Sequence, residues 1–570
     1  MSVSTTRSLL DPDVGIRPSK IDRSSRKRDQ STTHSSGGAS PGGEPRRPGP
    51  YTSAHGGAAG ARLPRPGVKT LYRATHVYTL SHPAVGEWLL VDDRHVERVG
   101  VGEPPSADRE VDLPGATIVP GFIDTHVHLT GTTLSSIGIP LERARSGPDL
   151  LGLVAEELTR GPTKVLAHGF DESHWDPPDL PTLSDLDGLT DVPVILIRAD
   201  GHIALANTPA MERSGALDED GVDRGQDGRP TGAVRRSANR RLQRWFHQEL
   251  SDHEIRELQV QAASLAAARG VTCVHEMAIP LSHGRREVEV LLEHRHQLPV
   301  EVVAYIAEKD IPWIMDLGLE TIGGDLSLDG SLGARTAAVS DPYMDGDGTG
   351  VLYESDDDLA EVFHNGHLGG LQVAVHAIGD RAIEQAIRVW ERVYRTLDSR
   401  QRRHFRARRH RIEHFELPSS DQVERAAALG LAISVQPGFD AEWGHPGQLY
   451  ERRLGPVRAA RMNPFWTLLG RGLEVGAGSD SPVTPLDPMS GLWALENHHD
   501  PSQRMSREEA VRLFTIGSAR LAHLEEKKGS LRPGMQADFA AYEADPFTAP
   551  EIRDLRPVLT VSRGREVYAR

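Results

Sequence analysis

From Lys69 onward, apolar and polar residues alternate between turn signals in TLYRATHVYTL, EWLLVDDRHVERVG and ATIVPGF. A period of two is what half-buried strands require. The last sixty residues repeat the style in ADFAAYEA and PVLTVSRGREVYA. Strand-rich ends on either side of a long middle predict one small β-sandwich domain built from residues 67–116 and 525–570, which brings the ends of the middle together. Within the middle, short apolar runs recur at TIVPGFID, VTCVHE, VEVVAYI, TIGGDLSL, LQVAVHAIG, HRIEHF, LAISVQP and LEVGAGSD. Helical patterns separate several of them. One, over 251–269, opens with Ser251 and Glu254 in capping-box spacing and closes at Gly270. Others cover about 380–397, 420–429 and 505–522. Eight strands alternating with helices is the number that closes an α/β (β/α)8 TIM barrel, expected here over 117–524. A doubly wound open sheet gives the same alternation, so the count alone does not decide. The placement of the candidate chemistry at strand ends favours the barrel.

Composition sharpens this picture. With 38% hydrophobic and 26% charged residues, the 570-residue chain can bury a large core. Its 65 Lys and Arg against 81 Asp and Glu give −16. Residues 1–66 hold 11 basic and 5 acidic side chains, or +6, so the remainder carries −22. That first segment, with stretches such as SSGGASPGGEPRRPGP, has little to bury and is predicted to be a disordered basic tail. An acidic body argues against a nucleic-acid partner. No apolar run reaches the roughly 18 to 20 residues that span a bilayer, so no membrane partner is expected. The N-terminus lacks the apolar stretch of a secretory signal, and a cytoplasmic location is expected. The partner expected is a small-molecule substrate, with a homo-oligomer left open. One cysteine, Cys273, rules out a disulfide framework and a multi-thiolate zinc site. Twenty-six histidines turn attention to imidazole and carboxylate chemistry.

The sharpest motif is Gly121-Phe122-Ile123-Asp124-Thr125-His126-Val127-His128. Because side chains on a strand alternate, His126 and His128 share a face and can bind one metal ion together. His376, His414 and Asp480 also end apolar strands, in LQVAVHAIGD, HRIEHF and LEVGAGSD. In a barrel those ends meet at one mouth. Imidazoles with hard carboxylate oxygens suit zinc first, with manganese, iron or cobalt as alternatives.

In this order the motifs resemble the amidohydrolase superfamily of metal-dependent hydrolases, and within it the family 3 branch that contains N-substituted formamide deformylase. The resemblance runs from about residue 70 to 570. It includes ADGHIALANTPAM (199–211), LDGSLGARTAAVSDPY (328–343), GSDSPVTPLDP (478–488) and GSLRPGMQADF (529–539). It implies a barrel with a β-sandwich and a large insertion after the first barrel strand, here about 131–250. Relatives often carry a lysine four residues before the Asp-Gly of the fourth strand, whose carbamylated form can bridge two metals. This chain has Asp325 there. A carboxylate can bridge cations but reaches less far, so the sequence leaves open whether Asp325 is a ligand and whether one or two ions bind.

The resemblance implies an amidohydrolase that hydrolyses a non-peptide C–N bond, such as that of an N-substituted formamide, by metal-activated hydroxide. His126 and His128 would hold one ion, and His376 and His414 a second. Asp480 would move the proton, and His414 would serve as catalytic oxyanion partner if only one ion binds. His202, Asn207, Arg335 and Tyr343 are the candidate substrate contacts. His275 and Glu276 are candidates to face the pocket, and Trp175 and Trp443 to line it. Cys273 is expected to pack as a small hydrophobe, and His498 and His499 to lie on the surface. Two alternatives stay open: hydrolysis of an ester, lactone or cyclic amide in the same pocket, or an inactive barrel that binds a ligand or regulates.

Overall fold

The computed structural model describes residues 67–137 and 139–570, so the predicted basic tail over 1–66 lies outside the described residues. Both ends of the described chain join one seven-stranded sheet. Its order is Arg565–Ala569, Pro557–Ser562, Phe539–Tyr542, Arg109–Pro120, Lys69–Tyr78, Val85–Asp92 and His95–Gly100. The last of these is an edge, yet Val96 N–H donates to the Met535 carbonyl at 2.8 Å and Ala537 N–H to the Arg94 carbonyl at 2.8 Å. Residues 535–537 lead straight into Phe539–Tyr542, so the sheet folds over on itself. Tyr72, Leu89, Val96, Ile118, Phe539 and Val561 pack into one cluster on its inner side.

All eight apolar runs of the middle contain strands. Phe122–Val127, Val271–Ala278 and Glu301–Ile306 form a three-stranded parallel sheet, and Thr321–Ile322, Gln372–Ala377, Arg411–His414, Ala432–Val435 and Glu474–Ala477 a five-stranded one. Backbone hydrogen bonds cross both seams between these sheets. Gly323 N–H donates to the Ile306 carbonyl at 2.7 Å, and Asp480 N–H to the His126 carbonyl at 2.8 Å. Val271–Ala278 is buried at every position, as parallel strands covered on both faces must be. Val271, Ile306, Val375, Ile412, Ile433 and Val475 from these strands pack with helix residues such as Ala266, Phe363, Ile383 and Trp390.

The helices follow their sequence signals. Asp252–Ala268 starts at Ser251, whose hydroxyl accepts from Glu254 N–H while the Glu254 carboxylate accepts from Ser251 N–H. The helix expected over 505–522 departs from that reading and consists of Arg507–Arg512, a π-turn at Leu513–Gly517 and Ser518–Leu521. Two hydroxyls compete for its backbone: Thr515 Oγ1 donates to the Val511 carbonyl at 2.6 Å and Ser518 Oγ to Leu513 at 2.9 Å.

The segment after the first of the parallel strands builds a layer of its own. Val165–Phe170, Val194–Arg198, Ile203–Ala206, Pro230–Arg235 and Val222–Arg224 form a five-stranded sheet, and the helix Arg236–Gln248 returns along it. Ile197, Ala206, Met211, Leu242 and Phe246 bind the sheet and that helix together.

Candidate metal centre

The ends of the parallel strands deliver a compact set of imidazoles and carboxylates. The Asp325 carboxylate lies 3.4 Å from His126 Nε2, 3.2 Å from His128 Nε2, 3.6 Å from His376 Nδ1 and 3.9 Å from His414 Nε2. Asp480 Oδ1 is 3.1 Å from His128 Nε2 and 3.4 Å from His126 Nε2. The His376 and His414 rings meet edge to face with centroids 4.4 Å apart. Asp325, left open by the sequence, is thus the group that meets all four imidazoles.

Backbone geometry explains how so short a side chain arrives there. Gly323 and Gly324 both have positive φ, at 94° and 75°. A Cβ on Gly323 would run into the Ala374 carbonyl, and one on Gly324 into the Met277 sulfur. This close approach ends the strand at Ile322 and carries Asp325 inward. Across the site, His414 and Asp480 hold φ at 71° and 55°, in the left-handed region that non-glycine residues avoid. Asp124 ties two strand ends together, accepting from His126 N–H at 3.1 Å and Ser479 N–H at 2.9 Å.

A second layer fixes which nitrogen faces the centre. His126 Nδ1 bonds Glu413 Oε2 at 3.1 Å, and Arg411 clamps that carboxylate at 2.8 and 2.9 Å. His128 Nδ1 donates to the Met277 carbonyl at 2.8 Å. With Nδ1 occupied as donor, each ring turns its Nε2 toward Asp325 and Asp480, where a cation would take the place of the ring proton. His126 Nε2, Asp325 Oδ1 and Asp480 Oδ1 are buried with no hydrogen-bond partner. Burial by itself would lower the His126 imidazole, but Asp325 and Asp480 outweigh it and push the group up to about 10. Burial would raise Asp480, yet His126 and His128 hold it below the ordinary carboxylate value. Such a site strongly favours positive charge. Orphaned nitrogen and carboxylate lone pairs converging without a thiolate fit a divalent cation. Two overlapping trios, His126–His128–Asp480 and His126–Asp325–His414, have donor atoms close enough to share one.

Above these groups lies a cavity of about 180 Å³, with His128, Asp325, His376, His414 and Asp480 in its lining. The inserted segment supplies another part of the wall, including His168, Asp200 and His202. His202 is therefore on the cavity, its ring centroid 5.9 Å from that of His376. The other candidate contacts are elsewhere. Asn207 is buried and caps the helix Thr208–Ser214, accepting from Val194 N–H at 2.9 Å and donating to the Val192 carbonyl at 2.7 Å. Arg335 forms a two-pronged pair with Asp345 at 3.0 and 3.1 Å, and Tyr343 donates to the Ala337 carbonyl at 2.8 Å. Trp175 donates to the Ala144 carbonyl and Trp443 to Asp171, both at 3.1 Å, and neither lines this cavity. His275 takes its contact from Arg411 at 3.0 Å, while Glu276 accepts from Leu129 N–H at 2.8 Å. Cys273 is buried, and desolvation pushes its thiol up to about 12. His498 and His499 correct the sequence reading: His498 is buried and His499 half-buried, and both pack against Asp440.

Sequence reasoning missed the cavity residues of the helix Arg236–Gln248. Arg236, Asn239, Arg240, Gln243 and His247 line the cavity, while Ala238, Leu242 and Phe246 face the inserted layer's core. The signal was a polar stripe at three- and four-residue spacing opposite an apolar one, readable as a second functional face.

The profile of the amidohydrolase family matches residues 109–568. YtcJ of Bacillus subtilis is 27% identical over 541 residues, covering 88% of this chain and 99% of its own length. N-substituted formamide deformylase of Arthrobacter pascens is 23% identical over 502 residues, covering 81% of this chain and 90% of its own. Among solved structures, an uncharacterized metal-dependent hydrolase from Pyrococcus horikoshii superposes with a TM-score of 0.68 at 25% identity, over 85% of this chain and 99% of its own.

Proposed function

Because the chain belongs to the amidohydrolase family, we propose that it is a metal-dependent hydrolase that cleaves the C–N bond of a small non-peptide amide, with N-substituted formamides as the first substrates to test. We read the eight parallel strands as one closed (β/α)8 barrel and the folded-over terminal sheet as its β-sandwich. The observation that carries the reading is the convergence of buried, unpartnered His126 Nε2, Asp325 Oδ1 and Asp480 Oδ1 at the carboxyl ends of parallel strands, where barrels build active sites. His126, His128 and Asp480 would hold one divalent cation, zinc by preference. Asp325, His376 and His414 would be the donors for a second cation. A cation bound there would bring the pKa of water toward ~7 and polarise a carbonyl.

The chain's own groups do the rest. Asp480, kept ionised by His126 and His128, takes a proton from the attacking water and returns it to the leaving nitrogen. His414 is pushed down to about 4 by burial and the neighbouring His376, so the ring stands neutral near pH 7; if only one cation binds, it is the group free to serve the carbonyl oxygen. Glu413 and Met277 hold the two imidazoles of the first strand in one orientation. The layer of residues 165–248 supplies one wall of the cavity. The name of the Arthrobacter relative supports the amide class.

The test is turnover of a panel of formamides, acylated amines, cyclic amides and esters by the zinc-loaded full chain. Hydrolysis of amides with loss of rate in Asp480→Asn is expected. Turnover of esters alone would overturn the amide assignment, and a fully active Asp480→Asn would overturn the proton role.

A further inference from the structure

The cavity lining contains two arginines from one helix, and their pairing is incomplete. Arg240 lines the cavity, donates to Ser237 Oγ at 3.2 Å and lies over the Tyr353 ring at 5.9 Å. Among the described residues no carboxylate comes within ion-pairing distance of it, whereas Arg198 beneath the same wall pairs with Asp171, Glu172 and Asp200 at 2.6 to 2.8 Å. Arg236, one turn earlier, spends its Nη1 on the exposed Asp220 at 3.0 Å, and its Nε is buried without a partner.

The acidic groups of the cavity do not serve these arginines. Asp200 is taken by Arg198 at 2.8 Å and by the Ser331 hydroxyl at 2.6 Å. Asp325 and Asp480 face the imidazoles. Asn239 and Gln243 are neutral and so supply no counterion; Asn239 Nδ2 donates to the Gly201 carbonyl at 2.8 Å and Gln243 Nε2 to Asn239 Oδ1 at 3.0 Å. The wall therefore presents the Arg240 guanidinium, held over an aromatic ring with no carboxylate of its own, beside the unpartnered Nε of Arg236. A guanidinium's planar donor fork matches a carboxylate.

We propose that the substrate carries a carboxylate, anchored by Arg240 with help from Arg236 Nε, so that the enzyme acts on N-acylated or N-formylated amino-acid-like acids. This rests on the amide-hydrolase reading of the same cavity. Arg240 is a specificity-determining residue: it binds the far end of the substrate and leaves the strand-end cluster to the reacting carbonyl.

The experiment compares N-formylphenylalanine with its neutral isosteres N-formylphenylalaninamide and N-formylphenethylamine, using the zinc-loaded full chain and its Arg240→Met and Arg240→Lys variants. Zinc content and thermal midpoint confirm that the variants are folded. Wild type is expected to prefer the acid by at least about tenfold in kcat/KM, the usual size of one charge-assisted contact. Arg240→Met is expected to reduce that acid-to-neutral ratio by about tenfold or more, mainly through KM, and Arg240→Lys to restore part of it. Equal rates on acid and isosteres in wild type, or an unchanged ratio in Arg240→Met, would overturn the proposal. If none of the three amides is hydrolysed, the amide-hydrolase reading fails by itself. Calorimetric binding of 3-phenylpropionate then decides the anchor: affinity at least about tenfold weaker in Arg240→Met supports it, and equal affinity or no binding to wild type overturns it.

Discussion

Two buried clusters in this molecule are made of the same residue types and differ in what their lone pairs do. At the strand ends, His126 and His128 give their Nδ1 atoms to Glu413 and the Met277 carbonyl, leaving Nε2 directed at Asp325 and Asp480. In the other cluster, Asp440, His498 and His499 also bring donor atoms close together. There His498 Nε2 donates to the Asn463 carbonyl at 2.9 Å and Nδ1 accepts from Asp500 N–H at 3.0 Å, so neither nitrogen is left for a ligand. His499 Nδ1 bonds Asp440 Oδ1 at 2.5 Å, and the other Asp440 oxygen accepts from His499 N–H at 3.0 Å. One cluster turns several unpartnered atoms toward one point; in the other His499 Nε2 alone is left without a partner, and the remaining groups are spent on hydrogen bonds that join loops. Proximity of histidine and aspartate does not define a metal centre; several unpartnered donor atoms converging on one point do.

The comparison can be broken by mutation. The largest effect is expected for His126→Ala or Asp325→Ala, which should lose bound metal and at least about a thousandfold in kcat/KM, because the chemistry supplied by the cation goes with it. Asp440→Ala should instead keep its metal and lose about 3 kcal/mol of stability, the usual cost of stranding one side of a buried pair, read by urea unfolding. Metal loss in Asp440→Ala would make the two clusters equivalent. Glu413→Gln should weaken metal affinity by about 10- to 100-fold, as removal of an imidazole's supporting carboxylate does, with the fold retained. A competitive chelator titration measures it.

The smallest effect is a pH dependence. Burial would lower His499, but its bond to Asp440 raises it above the ordinary 6.5. Its contribution to stability is therefore complete below pH 6.5 and is lost as pH rises through the raised value. Burial would raise Asp440, but His499 and His498 hold it below the ordinary 3.8, so its contribution is complete above that pH and is lost as pH falls through the depressed value. Asp440→Asn should thus be more destabilising at pH 5.5 than at pH 9, by no more than about 1 to 2 kcal/mol. An equal cost at both pH values would show that the pair contributes no charge.

Much of this was legible in the chain. Period-two alternation marked the terminal strands, and apolar runs marked the eight parallel ones, because burial on one face or two writes those patterns directly. His126, His128, His376, His414 and Asp480 could be placed because each ends such a run. Asp325 could not be settled, since its reach depends on how far Gly323 and Gly324 let the backbone lean inward, which spacing does not encode. Asn207, Arg335 and Tyr343 looked like contacts because polar residues near a site always do; their partners Val192, Asp345 and Ala337 are visible only in three dimensions. His498 and His499 were misplaced for a related reason: a polar loop reads as surface unless its hydrogen bonds are known. Arg240 was overlooked because the helix that carries it lies in the insertion, about 110 residues along the chain from the first histidine pair.

The central claim, that the strand-end cluster is a divalent metal centre and the Asp440 cluster is not, is tested most directly by metal stoichiometry. The chain is stripped with chelator, reloaded with zinc, desalted and quantified by plasma mass spectrometry alongside Asp325→Ala, His126→Ala and Asp440→Ala. The account predicts at least one equivalent in wild type and in Asp440→Ala, and a loss of at least one in the other two. Wild-type protein that retains no zinc, or strand-end variants that retain all of it, would contradict it.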